Sequence, residues 1–348
     1  MKNKFLSAFN DACNRVRKPL IIAEMSGNHN QSLERALTIV DEAAKAGADA
    51  IKLQTYTADT MTMPGAFTIT DPNSLWFGRE LHELYQEAYT PWEWHKKIFE
   101  RAEQNGIFAF SSPFDESAVD FLEELDVPCY KIASLENTDW PLLKKVAATN
   151  KPVIMSTGAS SLSDIADAVN VLRNAGCTNL VLLKCTSTYP ASPDNTNILT
   201  IPHMADLFKC SVGLSDHTMG IGVSVASTAL GAVLIEKHFT LSRKDGGVDS
   251  AFSIEPRELE MLVNETNSAF LSLGQIKYGL QKGEDISSLY KRSIYASKDI
   301  HSDELISRDN IKIIRPSLGL KPKHFEEIIG KKAKVFIKQG TPITWNML

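Results

Sequence analysis

Pro19-Leu20-Ile21-Ile22-Ala23-Glu24-Met25, an amphipathic stretch over residues 32–47, and then Ala48-Asp49-Ala50-Ile51-Lys52-Leu53-Gln54-Thr55 form the unit whose reading decides the fold. The two flanking runs are short, apolar and finished by polar residues, as strands are. The segment between them has helical periodicity, opened by Ser32 and closed by Gly47. Further runs of the same kind follow at 106–113, 129–134, 152–158, 180–187, 210–217 and 233–240, and further amphipathic stretches at 91–106, 116–126, 162–176 and 256–274. Eight strands alternating with helices imply a parallel sheet, and eight is the number that closes into a (β/α)8 TIM barrel. An open doubly wound sheet is the runner-up. It is weakened because Glu24-Met25-Ser26-Gly27-Asn28-His29-Asn30 stands where such sheets carry a glycine-rich fingerprint.

Two regions depart from the rhythm. The connection over 56–90 is much longer than the others and carries Pro64, Gly65, Pro72 and Trp76; loops of that length are usually functional or contact another subunit. After Gly279-Leu280-Gln281-Lys282-Gly283-Glu284 the helical pattern ends, and short β-like runs appear at 293–296, 311–314 and 335–337. The expected division is therefore a barrel over 1–283 and a linker plus small β-rich module over 284–348. That module is near the lower size limit for folding alone, so it is expected to lean on the barrel or on a partner chain.

The chain has 348 residues, 43% hydrophobic and 23% charged, with a formal charge of −5 spread over both signs. Nothing in that balance points to a nucleic-acid or membrane partner. The basic N-terminus lacks the apolar core and cleavage site of a signal peptide, and no stretch is long and apolar enough to span a membrane. Five cysteines without a C-x-x-C spacing fit reduced thiols in a cytoplasmic protein.

In a closed barrel the residues finishing each strand build the active site. Here they are Glu24; Lys52 and Gln54; Ser111 and Ser112; Lys131, Ser134 and Glu136; Ser156 and Thr157; Lys184, Thr186 and Ser187; Ser215 and His217; and Glu236 and His238. Alternate residues on a strand share a face, so Lys52 with Gln54, Ser215 with His217, and Glu236 with His238 point together. Charges between sheet and helices would be costly unless paired, which favours the barrel mouth. His217 and His238 on neighbouring strands suit a divalent metal, although a strand-end histidine also serves as a hydrogen-bonded structural residue. Lys52 and Lys131, with Ser134, Ser156 and Ser215, suit a phosphate and carboxylate cradle. Two other readings stay open for the lysines: pairing with Glu24 or Glu236, and Schiff-base chemistry as in an aldolase.

At this point the residues resemble a known family, the nonulosonic (sialic) acid synthases. The likeness rests on Ile21-Ile22-Ala23-Glu24 with Asn28-His29-Asn30, Ile51-Lys52-Leu53-Gln54-Thr55, Tyr130-Lys131-Ile132-Ala133-Ser134, Gly213-Leu214-Ser215-Asp216-His217-Thr218 and Ile235-Glu236-Lys237-His238-Phe239-Thr240. It spans nearly the whole chain, because Arg315-Pro316-Ser317-Leu318-Gly319-Leu320 resembles the family's C-terminal antifreeze-like (SAF) module. The resemblance implies a phosphoenolpyruvate-dependent synthase that adds a three-carbon unit to an N-acyl amino-sugar. It also implies a divalent metal on His217 and His238, usually manganese, with magnesium or cobalt as alternatives. Phosphoenolpyruvate is then held by Lys52, Lys131, Ser134, Ser156 and Ser215, with Ser111 and Ser187 as further substrate contacts. Glu24, Gln54, Glu136 and Glu236 match catalytic positions, and Tyr189 and Asp249 match sugar positions. Arg315 would reach the sugar's N-acyl group across a domain-swapped homodimer.

Three departures from the sialic acid pattern resemble the bacterial pseudaminic acid branch. Ser26 stands in A-E-M-S-G-N where A-E-x-G-x-N is more usual, Ser187 stands where asparagine is common, and Gly247-Val248-Asp249-Ser250 replaces G-x-D-H. The implied acceptor is a diacetamido-trideoxy-altrose, with legionaminic or sialic acid precursors as the alternative and flagellar or surface glycans as the destination. A Schiff-base aldolase and a non-catalytic sugar-binding protein are the rivals from other classes.

Overall fold

The computed structural model describes residues 2–348, which divide into two compact units, one ending at Gly274 and one running over Gln275–Leu348. In the first, eight parallel strands close into a barrel in sequence order. They are β1 (Leu20–Glu24), β2 (Ala50–Thr55), β3 (Phe108–Pro113), β4 (Tyr130–Ile132), β5 (Val153–Ser156), β6 (Leu180–Cys185), β7 (Ser211–Asp216) and β8 (Leu234–His238). β8 pairs back onto β1, with Glu24 beside His238. The open-sheet alternative is thereby excluded.

Each helix forms because one stripe of its surface is apolar. Over Leu33–Lys45, Ala36, Ile39, Val40 and Ala43 are buried at helical spacing, and the Ser32 hydroxyl caps the first turn by accepting from the Arg35 N–H. Such stripes meet the outward side chains of the strands in two large apolar clusters around the barrel. A third cluster fills the barrel's own interior: Leu20, Ile22, Ala50, Phe110, Ile154, Val181, Leu183 and Leu234 pack with Phe5, Phe9 and Ala12 of a helix over Lys2–Cys13. That helix, which the sequence reading does not anticipate, covers the strand starts. Its burial makes that end of the barrel apolar and leaves the opposite end for chemistry.

The second unit contains an antiparallel pair, β9 (Ser293–Ala296) and β10 (Ile311–Ile314), around a core of Ile294, Ile300, Ile306, Ile311, Ile328, Ile337 and Ile343. The run expected at 335–337 is not a strand. Val335 and Phe336 are exposed, and only Ile337 joins the core, through one antiparallel bridge to Ile300. The boundary falls before the expected 283, because the exposed segment after the helix Pro256–Leu273 groups with the tail. No helix among the described residues is long and apolar enough to cross a membrane.

Candidate active site

The side chains that fill the barrel interior change character abruptly along each strand. Ile22 gives way to Glu24, Ala50 to Lys52 and Gln54, Phe110 to Ser112, Cys129 to Lys131, Ile154 to Ser156, Leu183 to Cys185, Gly213 to Ser215, and Leu234 to Glu236 and His238. Each step is two residues, so each polar group lies on the face its apolar neighbour fixes inside the barrel. Glycine is needed at 213, where a Cβ would lie 2.4 Å from the Leu234 carbonyl oxygen and 2.7 Å from Leu183.

The result is one cavity walled by Glu24, Lys52, Gln54, Ser112, Lys131, Ser134, Glu136, Ser156, Cys185, Tyr189, Ser215, His217, Glu236 and His238. Lys52 is buried with its Nζ 2.5 Å from Glu24 Oε2 and 3.8 Å from Glu236 Oε1, and it donates to Ser112 Oγ at 3.3 Å. Gln54 Nε2 donates to the other Glu24 oxygen at 3.0 Å. Lys131 Nζ lies 3.6 Å from Glu236 Oε1, which also accepts from Ser215 Oγ at 3.2 Å. The lysine–carboxylate pairing read as an alternative is thus present, inside the same cavity as the hydroxyls. Ser134 Oγ accepts from the Gly158 N–H at 3.0 Å, and a Cβ on Gly158 would sit 2.1 Å from Ser187 Oγ, so a larger residue there would have to move that hydroxyl.

Several polar atoms of this cavity are buried without a hydrogen-bond partner among the described residues: Ser156 Oγ, one oxygen each of Glu136 and Glu236, and His238 Nδ1. Each would be costly in a closed core and is expected where a ligand completes the bonding. The electrostatics are uneven. Burial raises Glu24, partly offset by Lys52, whereas Lys131 and Lys52 outweigh burial at Glu236 and hold it low. Burial pushes Glu136 up to about 7, with Lys131 partly offsetting it. Burial lowers Lys131, partly countered by Glu236. Burial would raise the Cys185 thiol, but His217 beside it, at 3.9 Å, brings it down to about 6.

His217 and His238 face each other with ring centres 5.3 Å apart. His217 Nδ1 lies 2.9 Å from the Thr186 carbonyl oxygen, a contact that requires Nδ1 to donate and leaves Nε2 as the free lone pair. His238 has a buried Nδ1 with no partner. These donors fit a divalent ion. No group of three His, Cys, Asp or Glu side chains among the described residues is arranged to hold one, so the pair would supply two ligands and leave the remaining positions to water and substrate.

Five expected positions lie elsewhere. Ser111 is fully buried on the outward face of β3, 2.6 Å from Thr55 Oγ1; Ser112, one residue on, has the inward parity and meets Lys52. Ser187 borders a neighbouring pocket with Thr157, Ser160 and Lys184, so Lys184 too is outside the main cavity. Asp249 is buried behind the wall and accepts from the Ser26 hydroxyl and the Gly27 N–H. Arg315 belongs to the second unit. Cys185 and Tyr85 line the cavity without having been singled out; for Cys185 the signal was its parity with Leu183, obscured by reading the thiols as structural.

Residues 39–278 match the NeuB family and residues 291–348 match the SAF domain. The pseudaminic acid synthase of Campylobacter jejuni subsp. jejuni serotype O:2 is 43% identical over 94% of this chain and 96% of its own. The N,N'-diacetyllegionaminic acid synthase of the same strain is 38% identical over 91% and 96%. Among solved structures, the N-acetylneuraminic acid (sialic acid) synthetase of Leptospira borgpetersenii serovar Hardjo-bovis superposes with a TM-score of 0.70 at 32% identity, covering 78% of this chain and 90% of that one. The polar barrel mouth, the matching sequence and the shared fold together make this chain an enzyme of the NeuB family with a C-terminal SAF domain.

Proposed function

We propose that this enzyme is a pseudaminic acid synthase, condensing phosphoenolpyruvate with 2,4-diacetamido-2,4,6-trideoxy-L-altrose and water to give pseudaminic acid and phosphate. The observation that carries the reading is the group of unpartnered buried atoms between two lysines and two imidazoles, which suits a multiply charged substrate beside an aldehyde. The choice of acceptor is supported by the identity to the Campylobacter pseudaminic acid synthase and by Ser26, Ser187 and the Gly247–Ser250 variant motif.

Lys52, Lys131, Ser134, Ser156 and Ser215 are assigned to phosphoenolpyruvate, because cations and hydroxyls in a dry cavity neutralise and orient a phosphate and a carboxylate. His217 and His238 are assigned to a divalent ion, manganese by family resemblance, which supplies Lewis-acid polarisation of the aldehyde when bound. C3 of phosphoenolpyruvate attacks the aldehyde carbon, the C=O π pair passes to the aldehyde oxygen, which takes up a proton from solvent to become a hydroxyl, and positive charge develops at C2. Glu236, held ionised between the lysines, faces that charge. Water adds to C2, and Glu24, held by Lys52 and Gln54, is assigned to take its proton, while Glu236, between Lys52 and Lys131, is assigned as the electrostatic stabiliser. The tetrahedral intermediate then collapses with C–O cleavage and phosphate leaves. Glu136, pushed up to about 7, and Tyr189 border the space left for the acceptor.

The test is phosphate release from phosphoenolpyruvate with manganese, offering the altrose derivative, the legionaminic acid precursor and N-acetylmannosamine separately. Release with the altrose derivative alone is expected. Preference for another acceptor would move the assignment within the family, and pyruvate-dependent turnover trapped by borohydride at Lys52 or Lys131 would favour the aldolase.

A further inference from the structure

Ser26 has a left-handed backbone, with φ at +46°, a conformation that costs any residue with a Cβ free energy that glycine avoids. It is also 95% buried, so the cost is not incurred for solubility. What the conformation delivers is a bond: the Ser26 hydroxyl donates to Asp249 Oδ2, and the Gly27 N–H reaches the same oxygen at 3.4 Å. Asp249 has no ion-pair partner among the described residues, so these donors are what compensate a carboxylate buried by the loop after β8.

That loop is held at two further points. Trp76, at the tip of the long connection after β2, donates from Nε1 to the Val248 carbonyl oxygen at 3.0 Å. Gly247, at φ +121°, packs so closely on Asn30 that a Cβ would lie 2.3 Å from the amide oxygen. The loop in turn carries Phe252, whose ring centre lies 4.9 Å from His238 and 5.1 Å from Tyr189, while Tyr189 lies 4.5 Å from His217. Trp76 leans on the same group, 6.0 Å from Tyr189 and 6.5 Å from Phe252. An aromatic wall behind both imidazoles therefore takes its position from a loop anchored to Ser26.

We infer that Ser26 is a positioning residue for the acceptor sugar: its hydroxyl fixes Asp249 and the loop after β8, and through Phe252 and Tyr189 it sets the wall against which the aldehyde-bearing sugar is placed. The phosphoenolpyruvate cradle is built on other elements, Lys52 of β2, Lys131 of β4, Ser156 of β5 and Ser215 of β7, none of which bonds to this loop. The inference rests on the two-substrate reading above.

Ser26→Gly is the informative variant, because glycine accepts the backbone conformation without strain while removing the hydroxyl with its Cβ. Its melting temperature should stay within a few degrees of the parent's, because the relieved backbone strain offsets part of the lost hydrogen bond to Asp249. With manganese and the altrose derivative, KM for the sugar should rise about tenfold, the scale of one lost hydrogen bond to a carboxylate, while KM for phosphoenolpyruvate stays within about twofold. In an Asp249→Ala background, where the acceptor is gone, the same substitution should add little, since the two residues act as one unit. A parent enzyme inactive with every acceptor would sink the two-substrate reading. An active parent whose Ser26→Gly variant keeps its sugar KM, or loses affinity for both substrates equally, would overturn the role given to Ser26.

Discussion

The last two strands of the barrel carry two sets of buried charges one residue apart, and the two sets differ in how they are satisfied. Asp216 and Lys237 point outward, between sheet and helices, and pair at 3.0 Å. Asp216 also accepts from the Thr218 N–H at 2.9 Å, the Thr218 hydroxyl at 2.7 Å and the Ser224 hydroxyl at 2.6 Å, and Lys237 donates to the Thr218 carbonyl oxygen. Ser215, His217, Glu236 and His238 point inward, where Glu236 and His238 each keep a buried atom without a partner. A closed network of this kind fixes structure; an open one is completed by something that binds. Burial and charge alone would not separate them, since Asp216 and Lys237 on one side and Ser215, His217 and Glu236 on the other are almost wholly hidden from solvent.

The contrast can be broken by substitution. The largest effect is expected at His217→Ala, which should abolish metal-dependent turnover with little change in melting temperature; turnover that survives both this change and a chelator would remove the metal from the mechanism. Next, Lys131→Met should lower kcat/KM by about 10³-fold, the upper range for losing one preorganised charge-stabilising group, and leave the fold intact because Glu236 keeps Lys52. Lys237→Met should do the reverse. It strands Asp216 in the helix layer and should cost about 3–5 kcal/mol of stability in denaturant titration, with normal kinetic constants for whatever fraction stays folded. Equal stability losses at 131 and 237 would erase the distinction between the two networks.

The smallest effect sharpens the comparison through pH. Burial raises Glu136 from an ordinary value near 4.5 to about 7, so the folded state holds a proton there that the unfolded chain releases. Its contribution to stability is complete below about pH 4.5 and is lost as pH rises through 7. Glu136→Gln should therefore flatten the fall in melting temperature between those limits, and an unchanged slope would show that Glu136 titrates normally.

Much of this was legible because the barrel converts sequence parity into direction. The pairs Lys52 with Gln54, Ser215 with His217 and Glu236 with His238 needed only the two-residue repeat to be placed on one face, and all six line the cavity. Ser111 shows where parity needs more than a sequence: two serines in succession offer either direction, and only the register of β3 against β2, with Gln54 beside Ser112, selects the second. Lys184 was assigned inward although Cys185, its neighbour, has the inward parity. Ser26 and Trp76 were noticed, one as a departure and one as a loop residue, but their common target on the loop after β8 lies more than 170 positions away along the chain. Long-range hydrogen bonds of that kind leave no periodicity to read.

The central claim, that this cavity joins phosphoenolpyruvate to an amino-sugar aldehyde with C–O cleavage, is tested most directly with phosphoenolpyruvate carrying oxygen-18 in the bridge between C2 and phosphorus. With manganese and the diacetamido-altrose, mass spectrometry should find the label in the released phosphate and none of it in the nine-carbon product. Label retained in that product, or turnover without phosphate release, would contradict the account.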